Sequence, residues 1–225
     1  GVDLVPRKTC TYDCVYCQLG RTTCKTVERR EWIPLRQVLD EIQKKTQTRP
    51  DYITLSGSGE PTLFTPLDGL IDGIRAFTDI PIAVLTNGSL LDDAKVQQEL
   101  LGADLVIPSL DAGNESVFQR VNRPHASISF ERMLEGLKTF RRMFRGQYWL
   151  EVFLLGDMLG GDPALAELRR CVEEICPDRV QLNTVARPPT EEWAVAVSRQ
   201  RLEEIAESFT PKAEVIADFH GESLA

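Results

Sequence analysis

Three closely spaced cysteines near the start of the chain are the residues whose type and spacing most clearly suggest chemistry. Cys10, Cys14 and Cys17 stand in the stretch CTYDCVYC, with three and then two residues between them. A structural zinc site takes four ligands, usually as two separated pairs, and a 4Fe–4S cluster held entirely by protein takes four thiolates. Three thiolates therefore indicate a metal centre with one open position, which a substrate or cofactor completes.

A zinc site completed by Cys24 is the alternative interpretation of the same residues. Cys24 follows Cys17 by seven positions and has no second ligand beside it, whereas structural zinc ligands usually come in pairs. Cys171 and Cys176 lie within or just after a predicted helix, where a core thiol and a helix-end thiol are the simplest interpretation. We therefore expect the three-thiolate centre and keep a non-catalytic zinc-binding module as the alternative.

Short apolar runs and helical patterns alternate along the chain, and these elements must position the cysteines. The apolar runs predict strands at residues 1–6, 52–57, 82–88, 104–110, 148–156, 179–184 and 213–217. Apolar residues spaced for one helical face predict helices at residues 34–45, 65–77, 130–144, 162–175 and 198–209. Thr65 is expected to cap the second helix, with Pro66 in its first turn.

Continuous apolar strands that alternate with helices are typical of a parallel sheet covered by helices. No linker or low-complexity segment divides the pattern, so we predict one α/β domain over residues 1–225. The pattern alone does not decide whether the sheet closes into a barrel. In either form, the chemistry of such folds lies at the carboxyl ends of the strands.

Polar loops follow four consecutive predicted strands. The cysteine loop follows the first strand, and the stretches SGSGEPT (56–62), TNGS (86–89) and SLDAGN (109–114) follow the next three. Since the carboxyl ends of parallel strands share one edge of a sheet, we expect these loops to form a single site. Each stretch taken alone is also compatible with a turn or a helix cap.

The spacing C-x3-C-x2-C, with Tyr16 directly before the last cysteine, resembles the signature of the radical S-adenosylmethionine (SAM) superfamily. The resemblance implies a partial (β/α)6-type TIM barrel that holds a 4Fe–4S cluster. It implies that Cys10, Cys14 and Cys17 bind three irons, and that the methionine part of SAM chelates the fourth. The open position is then reserved for the cofactor.

The same resemblance implies which polar residues bind SAM. SGSGEPT is similar to the Gly-Gly-Glu-Pro stretch of the superfamily, which faces the methionine amine. The residues that the resemblance assigns to the methionine amine, the methionine carboxylate and the ribose are Ser58, Gly59, Glu60, Thr86, Asn87, Ser109 and Asp111. The adenine needs an apolar or stacking surface, for which Tyr16 is the candidate.

Within the superfamily, the chain resembles the Fe–S oxidoreductases related to tRNA wyosine-synthesis enzymes, through GVDLVPRKTCTYDCVYCQLGRTT, SGSGEPTL and QLNTVARPP. This implies reductive cleavage of SAM to a 5′-deoxyadenosyl radical, which abstracts hydrogen from a substrate. It also implies an electron donor such as flavodoxin or ferredoxin. Wyosine-type modification of tRNA and activation of a partner protein are the alternative reactions.

The stretch QLNTVARPP follows the sixth predicted strand and supplies candidates for substrate binding. Asn183 offers a donor and an acceptor, and the guanidinium of Arg187 suits a carboxylate or phosphate. We therefore expect Asn183 and Arg187 to face a substrate that carries an anionic group. The alternative is that Arg187 pairs with a nearby carboxylate such as Glu191.

Charge and composition restrict the classes of partner. The 225 residues include 26 Lys and Arg against 34 Asp and Glu, which gives a net charge of −8. An acidic balance disfavours a nucleic-acid partner, so we expect a small-molecule or peptide substrate. The sequence contains no run of eighteen apolar residues, so it predicts no membrane-spanning helix.

Cysteine usage and the first residues give two further expectations. Six cysteines at uneven spacing do not predict a secreted disulfide scaffold, and no signal peptide opens the sequence, so we expect a reducing, cytoplasmic location. The chain starts at Gly1, without a methionine and within a strand-like run. We therefore expect a natural amino terminus upstream of Gly1.

Overall fold

The computed structural model describes residues 1–156 and 162–217. Its strands are β1 (Thr9–Cys10), β2 (Cys24–Lys25), β3 (Ile53–Leu55), β4 (Ile82–Thr86), β5 (Leu105–Pro108), β6 (Gln147–Phe153), β7 (Arg179–Asn183) and β8 (Glu214–Val215). Strands β3 to β8 form a six-stranded sheet in sequence order, and every pairing is parallel. Within the described residues, β3 and β8 are the edges of this sheet, so the barrel is partial.

Seven α-helices accompany the sheet in the described part of the chain. They are α1 (Leu35–Lys45), α2 (Leu67–Arg75), α3 (Ala94–Leu100), α4 (Glu115–Val121), α5 (Phe130–Met143), α6 (Asp162–Ile175) and α7 (Arg199–Ala206). The predicted parallel α/β architecture, a partial (β/α)6-type TIM barrel, is confirmed. None of the helices described is long and apolar enough to cross a membrane.

Alternating side chains on the strands separate the core from the barrel interior. On β6, Tyr148, Leu150 and Val152 are fully buried, whereas the residues that alternate with them, Trp149, Glu151 and Phe153, are only partly buried. Successive strand residues point to opposite faces of a sheet, so one face packs under the helices and the other faces the interior. Glu151 and Phe153 therefore lie on the interior face of β6, near the mouth of the barrel.

The first predicted strand, at residues 1–6, is wrong as a strand. Within this run, only Val2 joins the sheet, through an isolated parallel bridge to Leu55. The proline at position 6 has no N–H to donate, and Lys8 adopts a left-handed φ of 65°. The chain therefore turns, and Thr9–Cys10 pairs with Cys24–Lys25 instead.

Thr65 does not cap a helix. Helix α2 begins at Leu67 with Pro66 at its N-cap and no side-chain capping bond from that residue. The buried carboxylate of Glu99 accepts a hydrogen bond from the Leu67 N–H at 3.4 Å, so a neighbouring helix supplies the missing acceptor. Asp93 and Asn114 cap α3 and α4, two helices that the sequence pattern did not predict.

Candidate metal and cofactor site

The cysteine loop lies directly against the loop that follows β3. The Glu60 N–H donates to the carbonyl oxygen of Thr9 at 3.1 Å, and the Lys8 N–H donates to the carbonyl of Ser58 at 2.6 Å. A Cβ on Gly59 would lie 2.1 Å from the Thr9 oxygen. Only glycine allows this approach, so Gly59 is required for the two loops to meet.

Two side-chain amides from distant elements donate to two of the thiols. The Asn87 Nδ2 lies 3.5 Å from the Cys10 Sγ, and the Asn122 Nδ2 lies 3.5 Å from the Cys14 Sγ. Asn87 follows β4 and Asn122 follows α4. Hydrogen bonds to sulfur tune the potentials of iron–sulfur clusters, so these amides suit thiolates that bind iron.

Burial holds these two thiols in their neutral form. Burial, followed by the nearby Glu60 carboxylate, raises the pKa of Cys10 to about 12. Burial also raises the pKa of Cys14 well above its ordinary value. A bound metal cation supplies the positive charge that a buried thiolate needs, so the site fits a metal better than a free reactive thiol.

The donor set fits a cluster better than a single metal ion. In the described ranges, no three Cys, His, Asp or Glu side chains converge as ligands of one metal ion. A cluster does not need such convergence, because its thiolates bind separate irons. Three partly buried thiols on one loop, two of them with amide donors, fit a cluster, while Cys24 is exposed.

Glu60 connects the ends of β3 and β4. Its side chain is 2% exposed. Its Oε1 accepts from the hydroxyls of Thr62 at 2.7 Å and Thr86 at 2.6 Å, and its Oε2 accepts from the Asn87 N–H at 2.8 Å. Burial raises the pKa of this carboxyl, and the hydrogen bonds oppose that rise. Glu60 therefore holds in place the residue that donates to Cys10.

Asn87 extends the same network to two buried hydroxyls. Its Nδ2 also donates to the Thr11 Oγ1 at 2.7 Å, and Thr11 and Ser89 share a hydrogen bond of 2.8 Å. Thr11 and Ser89 are both buried. The structure thus brings the predicted residues Glu60, Thr86 and Asn87 together around Cys10.

A second network surrounds Asp111 on the Cys14 side. Its Oδ2 accepts from the Tyr16 hydroxyl at 2.5 Å and the Asn122 Nδ2 at 2.6 Å, and its Oδ1 accepts from the Phe153 N–H at 3.1 Å. Burial raises the pKa of Asp111 to about 6, although these bonds oppose the rise. The Tyr16 ring stacks on Phe153, with centroids 3.9 Å apart. Asp111 therefore orients both Asn122 and Tyr16.

A cavity of about 480 Å³ opens beside the cysteine loop at the barrel mouth. The predicted site residues that line it are Tyr16, Cys17, Ser109, Asn183 and Arg187. Glu60, Thr86, Asn87 and Asp111 lie behind this surface, with their polar atoms in the two networks. The predicted residues therefore divide into a lining group and a supporting group.

The two predicted substrate residues have partners that the sequence did not indicate. The Asn183 Nδ2 donates to Glu151 at 2.9 Å, and Arg187 donates to the Gln18 side chain at 2.8 Å. In the described residues, Arg187 does not pair with Glu191, so that alternative is wrong. Both residues remain on the cavity wall, and Glu151 lies there with them.

Glu191 instead joins three segments, an arrangement that we call the Glu191 clasp. Its Oε1 accepts from Arg21 at 2.6 Å and Arg123 at 2.7 Å. The Glu191 N–H donates to the Val15 carbonyl at 3.0 Å, and the Thr190 hydroxyl donates to the Cys17 carbonyl at 2.9 Å. The segment after β7 is thus held over the cysteine loop.

Sequence reasoning missed Asn122, Glu151, Phe153, Thr11 and Ser89. Asn122 is separated from Cys14 by 108 positions, and the end of α4 positions it through backbone bonds to the cysteine loop. No local signal identifies it. Glu151 had one signal, since a charged residue interrupts the apolar run YWLEVFLLG.

The chain matches a protein family and several known proteins. Residues 4–158 match the family profile of the radical SAM superfamily. The chain is 41% identical over 220 residues to a protein named GTPase Obg of Brachyspira hyodysenteriae, covering 97% of this chain and 32% of that protein. It is 36% identical over 197 residues to a UPF0026 protein of Methanocaldococcus jannaschii, covering 86% and 61%. The chain thus spans less than two thirds of either relative.

Solved structures give the same fold. A radical SAM methyltransferase from Sphaerobacter thermophilus superposes with a TM-score of 0.72 at 14% identity, over 96% of this chain and 64% of that chain. Streptococcus suis SuiB bound to S-adenosylmethionine superposes with a TM-score of 0.65 at 15% identity, over 97% and 50%. At these identities the likeness concerns the fold alone.

Proposed function

The chain belongs to the radical SAM superfamily, and on that premise we propose that Cys10, Cys14 and Cys17 hold a 4Fe–4S cluster with SAM at its open position. The observation that carries the proposal is the pair of amide bonds to the Cys10 and Cys14 sulfurs, from residues fixed by the polar networks at the strand ends. When bound, the reduced cluster and SAM supply a 5′-deoxyadenosyl radical that takes hydrogen from the substrate.

The residues of this chain then bind, orient and exclude water. Asn87 and Asn122 stabilise the thiolates with N–H donors, and Glu60 fixes the orientation of Asn87. Tyr16 and Ser109 line the cavity and offer a ring and a hydroxyl to the cofactor. We assign Ser58, Gly59, Thr86 and Asp111 to the same site, where Gly59 permits close backbone approach and Asp111 orients Tyr16.

The remainder of the cavity is proposed to receive the substrate. A volume of about 480 Å³ is within the range of small-molecule sites. Arg187 supplies a cation that suits an anionic group, and Asn183 holds the Glu151 carboxylate elsewhere on the same cavity wall. The proposed substrate is therefore a small molecule or peptide with an anionic group, and the electron donor is a flavodoxin or ferredoxin.

Anaerobic reconstitution tests the cluster directly. We expect about four iron and four sulfide per chain, with a visible absorbance that disappears in Cys10→Ala, Cys14→Ala and Cys17→Ala. The reduced, loaded protein should cleave SAM to 5′-deoxyadenosine and methionine.

Matched cysteine variants provide the control. Cys24 and Cys176 are exposed and lie outside the proposed ligand set, so Cys24→Ala and Cys176→Ala should take up iron as the parent does. Tightly bound zinc with no iron uptake would contradict the proposal and favour the zinc-binding alternative. A loaded cluster without SAM cleavage would contradict the reaction but not the metal site.

A further inference from the structure

The segment that carries the cysteines is basic, although the chain as a whole is acidic. Residues 7–30 include six Lys and Arg against two Asp and Glu, while the net charge of the chain is −8. Opposite charges neutralise some of these cations: Arg21 pairs with Glu191, and Arg29 pairs with Glu99. The remaining cations determine the field outside the cysteine loop.

Three cations of this segment have no ion-pair partner among the described residues, and we call them the basic face: Arg7, Lys8 and Lys25. Arg7 and Lys25 are exposed. The Lys25 Nζ donates to the carbonyl oxygens of Arg123 at 3.2 Å and Pro124 at 3.4 Å, neither of which carries a charge. Arg7 and Lys25 therefore present positive charge to solvent, and Lys8 is half-buried beside them in sequence and structure.

Backbone pairing places the basic face next to a proposed cluster ligand. Lys25 is the register partner of Cys10 in the β1–β2 ladder. The Lys8 carbonyl accepts from the N–H groups of Thr23 and Cys24, both at 3.1 Å. Neighbouring strands lie about 4.8 Å apart, so a partner seated on these cations lies beside the cysteine loop.

We propose that the basic face docks an acidic electron carrier of the flavodoxin type. The inference rests on the proposed function, because a cluster that cleaves SAM must first receive one electron. In that transfer the flavin of the carrier loses one electron and the oxidised cluster gains it, while no bond breaks and no proton moves. The acidic remainder of the chain repels such a partner. The carrier is therefore attracted at the basic face and is oriented toward the cysteine loop when it binds there.

Screening makes the local cations decisive. Charges interact over about 8 Å at physiological ionic strength, which is shorter than the distance across the domain. A carrier near Cys10 therefore responds to Arg7, Lys8 and Lys25 more than to distant carboxylates. Steering of this kind raises association rates by roughly 10- to 1,000-fold and declines steeply with salt.

Charge reversal on the full-length chain tests the proposal. The test variant is Arg7→Glu/Lys25→Glu. The single variant Arg7→Glu is a second test that should not disturb folding, because Arg7 makes no hydrogen bond or ion pair in the described residues. The matched control is Lys44→Glu/Lys45→Glu, the same charge change in the last turn of α1, which precedes the amino-terminal end of β3. Two readouts are the dissociation constant for oxidised flavodoxin by fluorescence anisotropy, and the rate at which reduced flavodoxin bleaches the loaded cluster.

We expect the double variant to bind flavodoxin roughly tenfold more weakly at low salt and to be reduced by it correspondingly more slowly. Reduction by dithionite should be unchanged, Arg7→Glu should give a smaller loss in the same direction, and the control should match the parent. Equal dissociation constants in the parent and the double variant would overturn the proposal.

Two further outcomes are decisive. If a tRNA transcript binds the parent more tightly than flavodoxin does and the same reversal abolishes that binding, the face is a nucleic-acid surface and the proposal is wrong. The binding measurement does not require a cluster. Flavodoxin binding by a chain that takes up no iron would therefore contradict the proposed function and leave the docking surface standing.

Discussion

Single side chains in this site connect strand ends that are far apart in sequence. Glu60 accepts hydrogen bonds from residues that follow β3 and β4. One of them, Asn87, donates its side-chain amide to the Cys10 sulfur. Asp111 does the same for Cys14 through Asn122. A buried carboxylate whose oxygens are this fully bonded acts by holding donors in place, so we expect its loss to affect both stability and binding of the proposed cofactor.

Removal of the Glu60 carboxylate should reduce stability and SAM affinity together. Glu60→Ala leaves the Thr62, Thr86 and Asn87 donors without their buried acceptor, at a cost of about 1–3 kcal/mol for each group left unsatisfied. Urea unfolding measures the first effect, and SAM titration of the loaded protein measures the second.

Thr62→Val is the matched control for Glu60. It removes one hydrogen bond to Glu60 but leaves the bond from Asn87, so it should lower stability by about 1 kcal/mol and leave SAM affinity unchanged. If Glu60→Ala binds SAM as tightly as Thr62→Val does, Glu60 has no role in cofactor binding.

Asp111 should make stability depend on pH. The folded state raises its pKa from 3.8 to about 6, so folded protein holds this proton more tightly than unfolded protein. The contribution of Asp111 to the free energy of unfolding therefore falls as the pH rises through that window, by at most about 3 kcal/mol.

Urea unfolding of the metal-free parent and Asp111→Asn, from about pH 4 to about pH 7, measures this contribution. The stability of the parent relative to the variant should decline with rising pH. A parallel pH dependence in the two proteins would show that Asp111 titrates in its ordinary range.

At the scale of elements, the site depends on contacts between loops that follow different strands. The loop after β3 meets the cysteine loop at Gly59, and the end of α4 meets it through backbone bonds to Asp13 and Val15. These contacts transmit the geometry of the sheet to the thiols. They tolerate little change in backbone separation, because their closest approaches join backbone atoms.

Gly59→Ala should therefore disrupt the site, while Gly69→Ala should not. The added Cβ at Gly59 would lie 2.1 Å from a backbone oxygen, whereas at Gly69, inside α2, the nearest atom is a proline ring carbon at 3.2 Å. We expect Gly59→Ala to lose about 1–3 kcal/mol of stability and most of its iron uptake. Gly69→Ala should stay within about 1 kcal/mol of the parent and load fully. Normal loading of Gly59→Ala would contradict the close contact.

The difference between local sequence patterns and contacts across the fold explains how much of the structure the sequence predicted. The strand runs, most helices and the cysteine motif are local patterns, so the parallel sheet and the residues at its strand ends were predictable. The strand at 1–6 failed because Pro6 and the turn at Lys8 outweigh the apolar pattern. Asn122 was not predictable as a site residue, since the packing of α4 places it there. Glu151 had a single signal, the charge within an apolar run, because the inward face of β6 carries it to the cavity.

For the whole molecule, the open position of the proposed centre links cofactor binding to global stability. A ligand that binds only the folded state at about one hundred times its dissociation constant adds about 2.7 kcal/mol. For a domain of this size, that corresponds to a rise in Tm of roughly 5–10 °C.

We expect SAM to produce this rise in Tm only when the cluster is loaded. Differential scanning calorimetry of the parent, with and without iron, and of Cys17→Ala provides the comparison. Equal shifts in Tm in the loaded and metal-free proteins would show that SAM binds without the cluster. The open position of the cluster would then not be its binding site.

The Glu191 clasp bears on how long the proposed centre survives in air. The segment after β7 shields the Cys17 backbone, and two exposed or half-exposed arginines hold it there through one carboxylate. Ion pairs of this kind contribute only about 0–1 kcal/mol and weaken with salt, so high salt should leave the segment held mainly by its bonds to the Val15 and Cys17 carbonyls. A segment loosened in this way would admit a substrate and dioxygen alike. We therefore expect the oxygen tolerance of the proposed centre to depend on Arg21, Arg123 and Glu191, on the surface, as well as on the thiols beneath them.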